Sequence, residues 1–188
     1  MWEKYVIFID GEAIVIDKPA GLAVHPGSKT PESLEDYLKH FRFGFQRAFE
    51  AKQVTKTYLA VLAGVPEATE GTVEIALSKV SSAEAGWRMV ADPAGRPSVS
   101  HWKTLAVKDG RALILFSPET GRTHQLRVHA ADGIGVAIAG DPVYGDGRGP
   151  MLLHARSIRV ERDGKPPVEA TAPLPPHFLS AGFDDALL

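Results

Sequence analysis

The sequence has no cysteine among its 188 residues. That absence excludes disulfides, thiol nucleophiles and thiolate metal sites, and it fits a reducing, cytoplasmic setting. Long hydrophobic runs are missing too. The apolar runs YLAVLAG (58–64) and ALILF (112–116) fall far short of the ~20 residues that span a bilayer, so a soluble chain with no membrane partner is expected. Neither sign of charge dominates: 21 basic residues against 23 acidic ones leave a net charge of -2. A polyanionic partner would therefore be held by a local basic patch, not by the field of the whole molecule. The opening MWEKYVIFIDGE has acids in and beside its apolar run and no small-residue cleavage site, so it reads as a strand, not a signal peptide. There is no internal repeat and no low-complexity tract.

What is present suits one modest core, 44% hydrophobic residues in 20.2 kDa. Strand patterns dominate. YVIFI (5–9) and AIVID (13–17) flank Asp10-Gly11, a favoured hairpin-turn pair. The short run LAVH (22–25) reads as a strand between two Pro/Gly turns. Thr30 and Pro31 suit the cap and first position of a helix through SLEDYLKH, and FQRAFEAKQ (45–53) reads as a second helix. Then TKTYLAVLAG, GTVEIAL, WRMV, PSVSHWKTLAV and GRALILFS follow as successive strands with Gly or Pro turns between them. A strand pair near MLLHARSIRVE and PPVEATAP and a short helix after Pro175-Pro176 complete the chain. The expected class is α+β.

The stretch SPETGRTHQLRVHAADGIGVAIAGDPVYGD (117–146) concentrates the chemistry. Thr123 suits a helix cap and Gly133 a helix end, with Leu126 and Ala130 as an apolar i, i+4 stripe. Gln125 and His129 fall on one further face, His124 and Arg127 on another. Arg122 precedes the cap, at the positive end of the helix dipole, where a cation calls for an anionic partner. His124 and His129 are five apart, about 140° round a helix, and do not grip one metal ion as an i, i+4 pair does. No metal site is expected from this spacing. Trp87, Trp102 and Phe116 are assigned to the core, with stacking on a base as the role of any that is exposed.

Four blocks in order, VIDKPAGLAVHPG (15–27), KTYLAVLAG (56–64), PETGRTHQLRVHAADGIGVAIAGDPVYG (118–145) and LLHARSI (152–158), resemble the RluA-type pseudouridine synthases. The resemblance implies a single catalytic domain over 1–188, a long mixed, mostly antiparallel sheet with a central RNA-binding cleft, and no appended RNA-binding domain. It implies isomerisation of uridine in ribosomal or transfer RNA by a tyrosine, an arginine and an aspartate nucleophile, with the base flipped out of its stack and with no metal or cofactor. Tyr58 matches the tyrosine that packs on the flipped base, and Arg122 the arginine that orients the aspartate. Lys18, His25, Lys56, Thr123, His124, Gln125, Arg127 and His129 are the RNA-binding residues it implies. The partner is RNA, the chain a monomer.

The family's nucleophile lies in a block of the form HRLDxxTSG, and residues 34–58, LEDYLKHFRFGFQRAFEAKQVTKTY, contain no match. His40 to Gly44 has a His and an Arg without the Asp or the Thr-Ser-Gly. Glu35 and Asp36 suit the polar face of their helix, and Asp17 and Asp141 belong to other blocks, Asp141 as a turn residue. The junction falls near Gln46 and Arg47. A catalytically silent RNA-binding or RNA-chaperoning protein of the same fold is the rival reading.

Overall fold

The computed structural model describes residues 3–11, 13–27, 32–38, 54–82 and 86–188. The Thr30-Pro31 helix start, the second helix at 45–53 and the junction near 46–47 lie outside the described residues. Two compact units emerge: Met1–Thr55 with Ser157–Ala172, and Lys56–Arg156 with Pro173–Leu188. No helix among the described residues is long and apolar enough to cross a membrane.

In the first unit, β1 (Val6–Ile9) and β2 (Ile14–Ile16) pair antiparallel. Their connection is longer than a two-residue Asp-Gly turn, because Asp10 closes a wider loop. Its N–H donates to Ala13 O, and its Oδ1 accepts from Ala13 N–H, each at 2.9 Å. Asp10 Oδ2 also accepts from Arg162 Nη1 at 2.7 Å. The expected strand LAVH is reduced to a single bridge, Ala23 to Ser33, followed by helix α1 (Leu34–Leu38). Ala13, Val160 and Val168 form the buried core of this unit.

The second unit contains β3 (Val54–Leu62) from Lys56 onward, β4 (Glu70–Glu74), β5 (Leu77–Ser82), β6 (Gly86–Ala91), β7 (Val99–Lys108) and β8 (Arg111–Pro118). β9 (Leu153–Arg162) starts here and runs on into the first unit, where it pairs antiparallel with β10 (Lys165–Thr171). Strand order is β9-β3-β8-β7-β4, with β3–β8, β8–β7 and β7–β4 antiparallel. The large antiparallel sheet and few helices match the expected class. One strand escaped the sequence reading. The run through 77–82 turns out of β4 at Leu77, which bridges Arg96, and becomes half of a separate β5–β6 hairpin.

Period-two alternation divides β3 between two cores. Ala60 and Leu62 face a cluster with Phe116, Leu126, Ala130 and Ile138. Leu59 and Val61 face the other side, against Leu113, Phe178 and Phe183. Helix α3 (Pro176–Ser180) delivers Phe178, and burying each of these two fully covered Phe rings contributes roughly 1.5–3 kcal/mol.

Helix α2 (Gln125–Val128) lies on the first of these faces. The Leu126 and Ala130 stripe is as expected, but both ends differ. Thr123 is not the cap. His124 takes that position at φ 53°, with no side-chain capping bond. A π-helical turn, His129–Ile134, then widens the helix and moves its end from Gly133 to Gly135, at φ 84°. Gly133 is instead a packing glycine: a Cβ there would stand 2.4 Å from Val73 Cγ1.

Candidate active site

Strand β3 and the loop before α2 place the principal candidates in one unit. Lys56 and Tyr58 are two apart on β3, so they share the face that continues as Ala60 and Leu62. Tyr58 pairs with Phe116 across to β8 and packs half-buried on the cluster beneath. Burial pushes its phenol pKa up. Burial pulls the Lys56 ammonium down. A Cβ on Gly121 would stand 3.5 Å from Lys56 Nζ, so the lysine lies against the residue that precedes Arg122.

Arg122 is exposed, and its Nε donates to Pro97 O at 3.2 Å. Its own N–H is fixed by Gln125 Oε1 at 2.9 Å. Among the described residues no carboxylate pairs with Arg122 or with Lys56. Two cations therefore stand on either side of Gly121, Lys56 against it and Arg122 next to it in the chain, with no carboxylate partner among the described residues.

Four of the residues expected to contact RNA make hydrogen bonds within the protein. Gln125 is 4% exposed. Its Oε1 accepts from Thr120 Oγ1 and Arg122 N–H, and its Nε2 donates to Val99 O and Ser100 Oγ. That uses its full hydrogen-bonding capacity. His129 is 0% exposed, with Nε2 2.8 Å from Ser98 Oγ. Ser98 gives its one hydrogen to Ile75 O, so His129 Nε2 is the donor to Ser98. The buried Nδ1 has no hydrogen-bond partner, and burial lowers the His129 pKa to about 4. Arg127 is held by Asp141. Lys18 donates to Pro19 O and Leu22 O, stapling its own turn. Gln125 and His129 share one cause, since a polar group buried in a β-rich core must find internal partners, whereas half-buried Lys18 bonds within its own turn.

The remaining candidates stay on the surface or near it. His25 is exposed in the first unit, 2.9 Å from Glu35. Thr123 is exposed beside Arg122. His124 is half-buried, and its ring stacks on Trp87. Trp87, Lys79 and Tyr144 gather around His124, a grouping that the sequence reading missed. Its one signal was a tryptophan in a short strand with no apolar partner opposite, since Trp87 faces Ser81.

Comparison with known proteins agrees with this geometry. The family model for RNA pseudouridylate synthase matches residues 39–132. An uncharacterised RNA pseudouridine synthase of Zymomonas mobilis is 45% identical over 214 positions, covering 96% of this chain and 98% of its own. A ribosomal large subunit pseudouridine synthase C of Rickettsia bellii is 31% identical, covering 93% of this chain and 70% of its own. The solved structure of human RNA pseudouridylate synthase domain containing 4 superposes with a TM-score of 0.75 at 22% identity, over 95% of this chain and 91% of that one, a likeness of fold.

The alignments also leave part of each relative facing no residue of this chain. With the Zymomonas relative, 96% of 188 residues is about 180, so about 34 of the 214 aligned positions face no residue in this chain. With the Rickettsia relative, 93% is about 175, leaving about 37 of 212. Ordered motifs, sheet topology and these relatives agree, and the chain belongs to the RluA-type RNA pseudouridine synthases.

Proposed function

We propose that the reaction served by this site is isomerisation of uridine to pseudouridine in ribosomal RNA, and that the 188-residue chain carries the base-facing wall of the site without its nucleophile. The observation that carries this is the juxtaposition of Tyr58 and Lys56 on one face of β3 with the loop bearing Arg122. Ribosomal RNA is preferred to transfer RNA because the Rickettsia relative is named for the large ribosomal subunit. A cytoplasmic site of action fits the cysteine-free sequence.

The chemistry assigns each group a task. The N1–C1′ bond of uridine breaks, a C5–C1′ bond forms, N1 takes up a proton and the C5 proton leaves to water. A half-buried ring such as Tyr58 supports the flipped base, whose unstacking costs a few kcal/mol. Arg122 keeps a nearby carboxylate ionised and aimed, the effect an opposite charge has on an acid. Lys56, poorly solvated, adds attraction for an anion in the same place.

Release of tritium from RNA labelled at uracil C5 tests the proposal. The 188-residue chain binds RNA with affinity that falls as salt rises and releases no tritium. A chain with the relatives' extra segment restored at the junction near residues 46 and 47 releases it. Tritium release by the unmodified chain would overturn the missing-nucleophile part, and none from a folded restored chain would overturn the assignment of the site. The rival reading, a silent RNA-binding protein, draws on the same unpaired cations and predicts binding without release in both chains.

A further inference from the structure

Of the three large aromatics assigned to the core by sequence, two are there and one is not. Trp102 is 8% exposed and Phe116 0%, but Trp87 is 46% exposed. Hairpin register puts Ser81 opposite Trp87 and Lys79 opposite Met89, so these four side chains share one face of the β5–β6 hairpin. Leu77 and Met89 bury the base of that face against Val128 of α2. Trp87 lies further out and is not needed for this anchorage.

Its orientation is nevertheless fixed. The indole stacks on the His124 imidazole with centroids 4.8 Å apart and planes 25° from parallel. His124 is held in turn at positive φ, a strained setting for a residue with a side chain, and its Nδ1 lies 3.0 Å from the Tyr144 hydroxyl. That hydroxyl accepts from Met89 N–H at 2.9 Å and approaches Met89 O at 3.1 Å. The Lys79 ammonium lies over the indole ring, 4.9 Å from its centroid, at the end of a long flexible side chain that can leave the ring for an arriving base. The two strands carry Lys79 and Arg88 and no acidic residue. The hairpin thus presents a half-exposed indole, braced from α2, with Lys79 on the same face.

We infer that Trp87 is a stacking platform for a nucleobase of single-stranded RNA close to the target uridine, with Lys79 meeting the adjoining phosphate. The inference rests on the RNA reading proposed above. Arg122 and His124 are two residues apart, within about 7.6 Å from Cα to Cα, so the arginine and the platform serve one strand a short step apart. An indole accepts any base, since every base has a π face, and the Lys79 ammonium complements the backbone. Burial, followed by the charge of Arg127 and against that of Asp141, lowers the His124 pKa, which keeps the supporting ring neutral near pH 7.

The test is titration of the 188-residue chain with a short single-stranded oligoribonucleotide, read by tryptophan fluorescence and by affinity. RNA quenches the wild-type emission. Trp87→Leu, which keeps an apolar body against His124, loses that quenching and binds about ten-fold or more weakly, and Trp87→Tyr restores most of the affinity. Lys79→Ala keeps the quenching and lowers the log-log salt slope by about 0.7. Undiminished binding or persistent quenching in a folded Trp87→Leu variant overturns the inference. The readout needs no turnover, so it stands or falls separately from tritium release. Failure of the wild-type chain to bind RNA at low salt sinks both.

Discussion

The guanidinium of Arg127 and the carboxylate of Asp141 form a two-point ion pair, Nε to Oδ2 at 2.7 Å and Nη2 to Oδ1 at 2.6 Å. Asp141 is fully buried and the Arg127 side chain 11% exposed. Oδ1 also accepts from Val143 N–H at 2.8 Å and Tyr144 N–H at 3.0 Å. Burial pushes the Asp141 pKa up, but the Arg127 bonds and the two amides outweigh it and hold the carboxyl below its usual range. The pair ties α2 to the GDPVYG turn, and that turn positions Tyr144 under His124.

Asp141→Ala leaves a nearly buried guanidinium and two amides without their acceptor. The expected loss is about 3–5 kcal/mol, seen as a lower urea midpoint at unchanged m. A loss below about 1 kcal/mol would contradict the bracing role. Adding Arg127→Leu recovers part of it, because the two residues are coupled.

His129 sets a pH dependence of stability. Its folded pKa of about 4 lies below the ordinary 6.5, so between those values the unfolded chain binds more protons. The contribution is complete above about pH 6.5 and is lost as pH falls toward 4, by up to about 3 kcal/mol at 1.36 kcal/mol per unit. His124, also lowered, acts with the same sign, whereas Asp141 adds its loss only as pH falls below 3.8. Urea unfolding from pH 7.5 to 4 checks this, with a shallower slope expected for His129→Gln. Equal slopes in the two proteins would count against it.

Arg122→Lys separates stability from turnover. The side chain is exposed and bonded to Pro97 O, so the melting temperature should move little. In the chain with the segment restored, kcat falls about 100-fold or more, because a lysine lacks the planar fork that orients a carboxylate. Wild-type turnover from this variant would remove Arg122 from the mechanism.

Gly140→Ala tests the close approach beneath the same turn. A Cβ there would stand 2.2 Å from Pro150 O, a backbone atom, and φ is 74°. Destabilisation of at least about 2 kcal/mol is expected from the combined clash and strain. Gly149→Ala, at φ 78° with nothing within 4 Å, should cost less, since strain acts there alone. Comparable losses at the two positions would show that the contact with Pro150 is relieved by movement.

Much of the strand plan was legible because alternation and Gly/Pro turns are local signals. The runs through 54–62, 99–108, 111–118, 153–162 and 165–171 all form strands. The separate hairpin at 77–82 was not legible, since the departure of Leu77 from β4 depends on its bridge to Arg96. The helix ends failed similarly. Thr123 has the chemistry of a cap, yet Gln125 reaches back to satisfy the Arg122 N–H, and the π-helical turn shifts the far end by two residues. Gln125 also bonds Val99 O and Ser100 Oγ at the start of β7, and Gly133 packs on Val73 of β4, contacts that no local pattern records.

By itself, the sequence determined the family, the strand-rich class, the Tyr58 and Arg122 blocks and the want of a match to HRLDxxTSG, because ordered motifs and their gaps are properties of the chain. Only the tertiary structure decided which polar side chains face outward. His129 and Gln125 share their stretch with Arg122 and His124, but the first two are enclosed by Ser98, Val99 and Ser100 while Arg122 remains exposed. Burial is set by what packs on a residue from elsewhere in the chain, and a buried polar group must be bonded where it lies. The same physics left Trp87 outside the core, where its stack on His124 fixes its orientation.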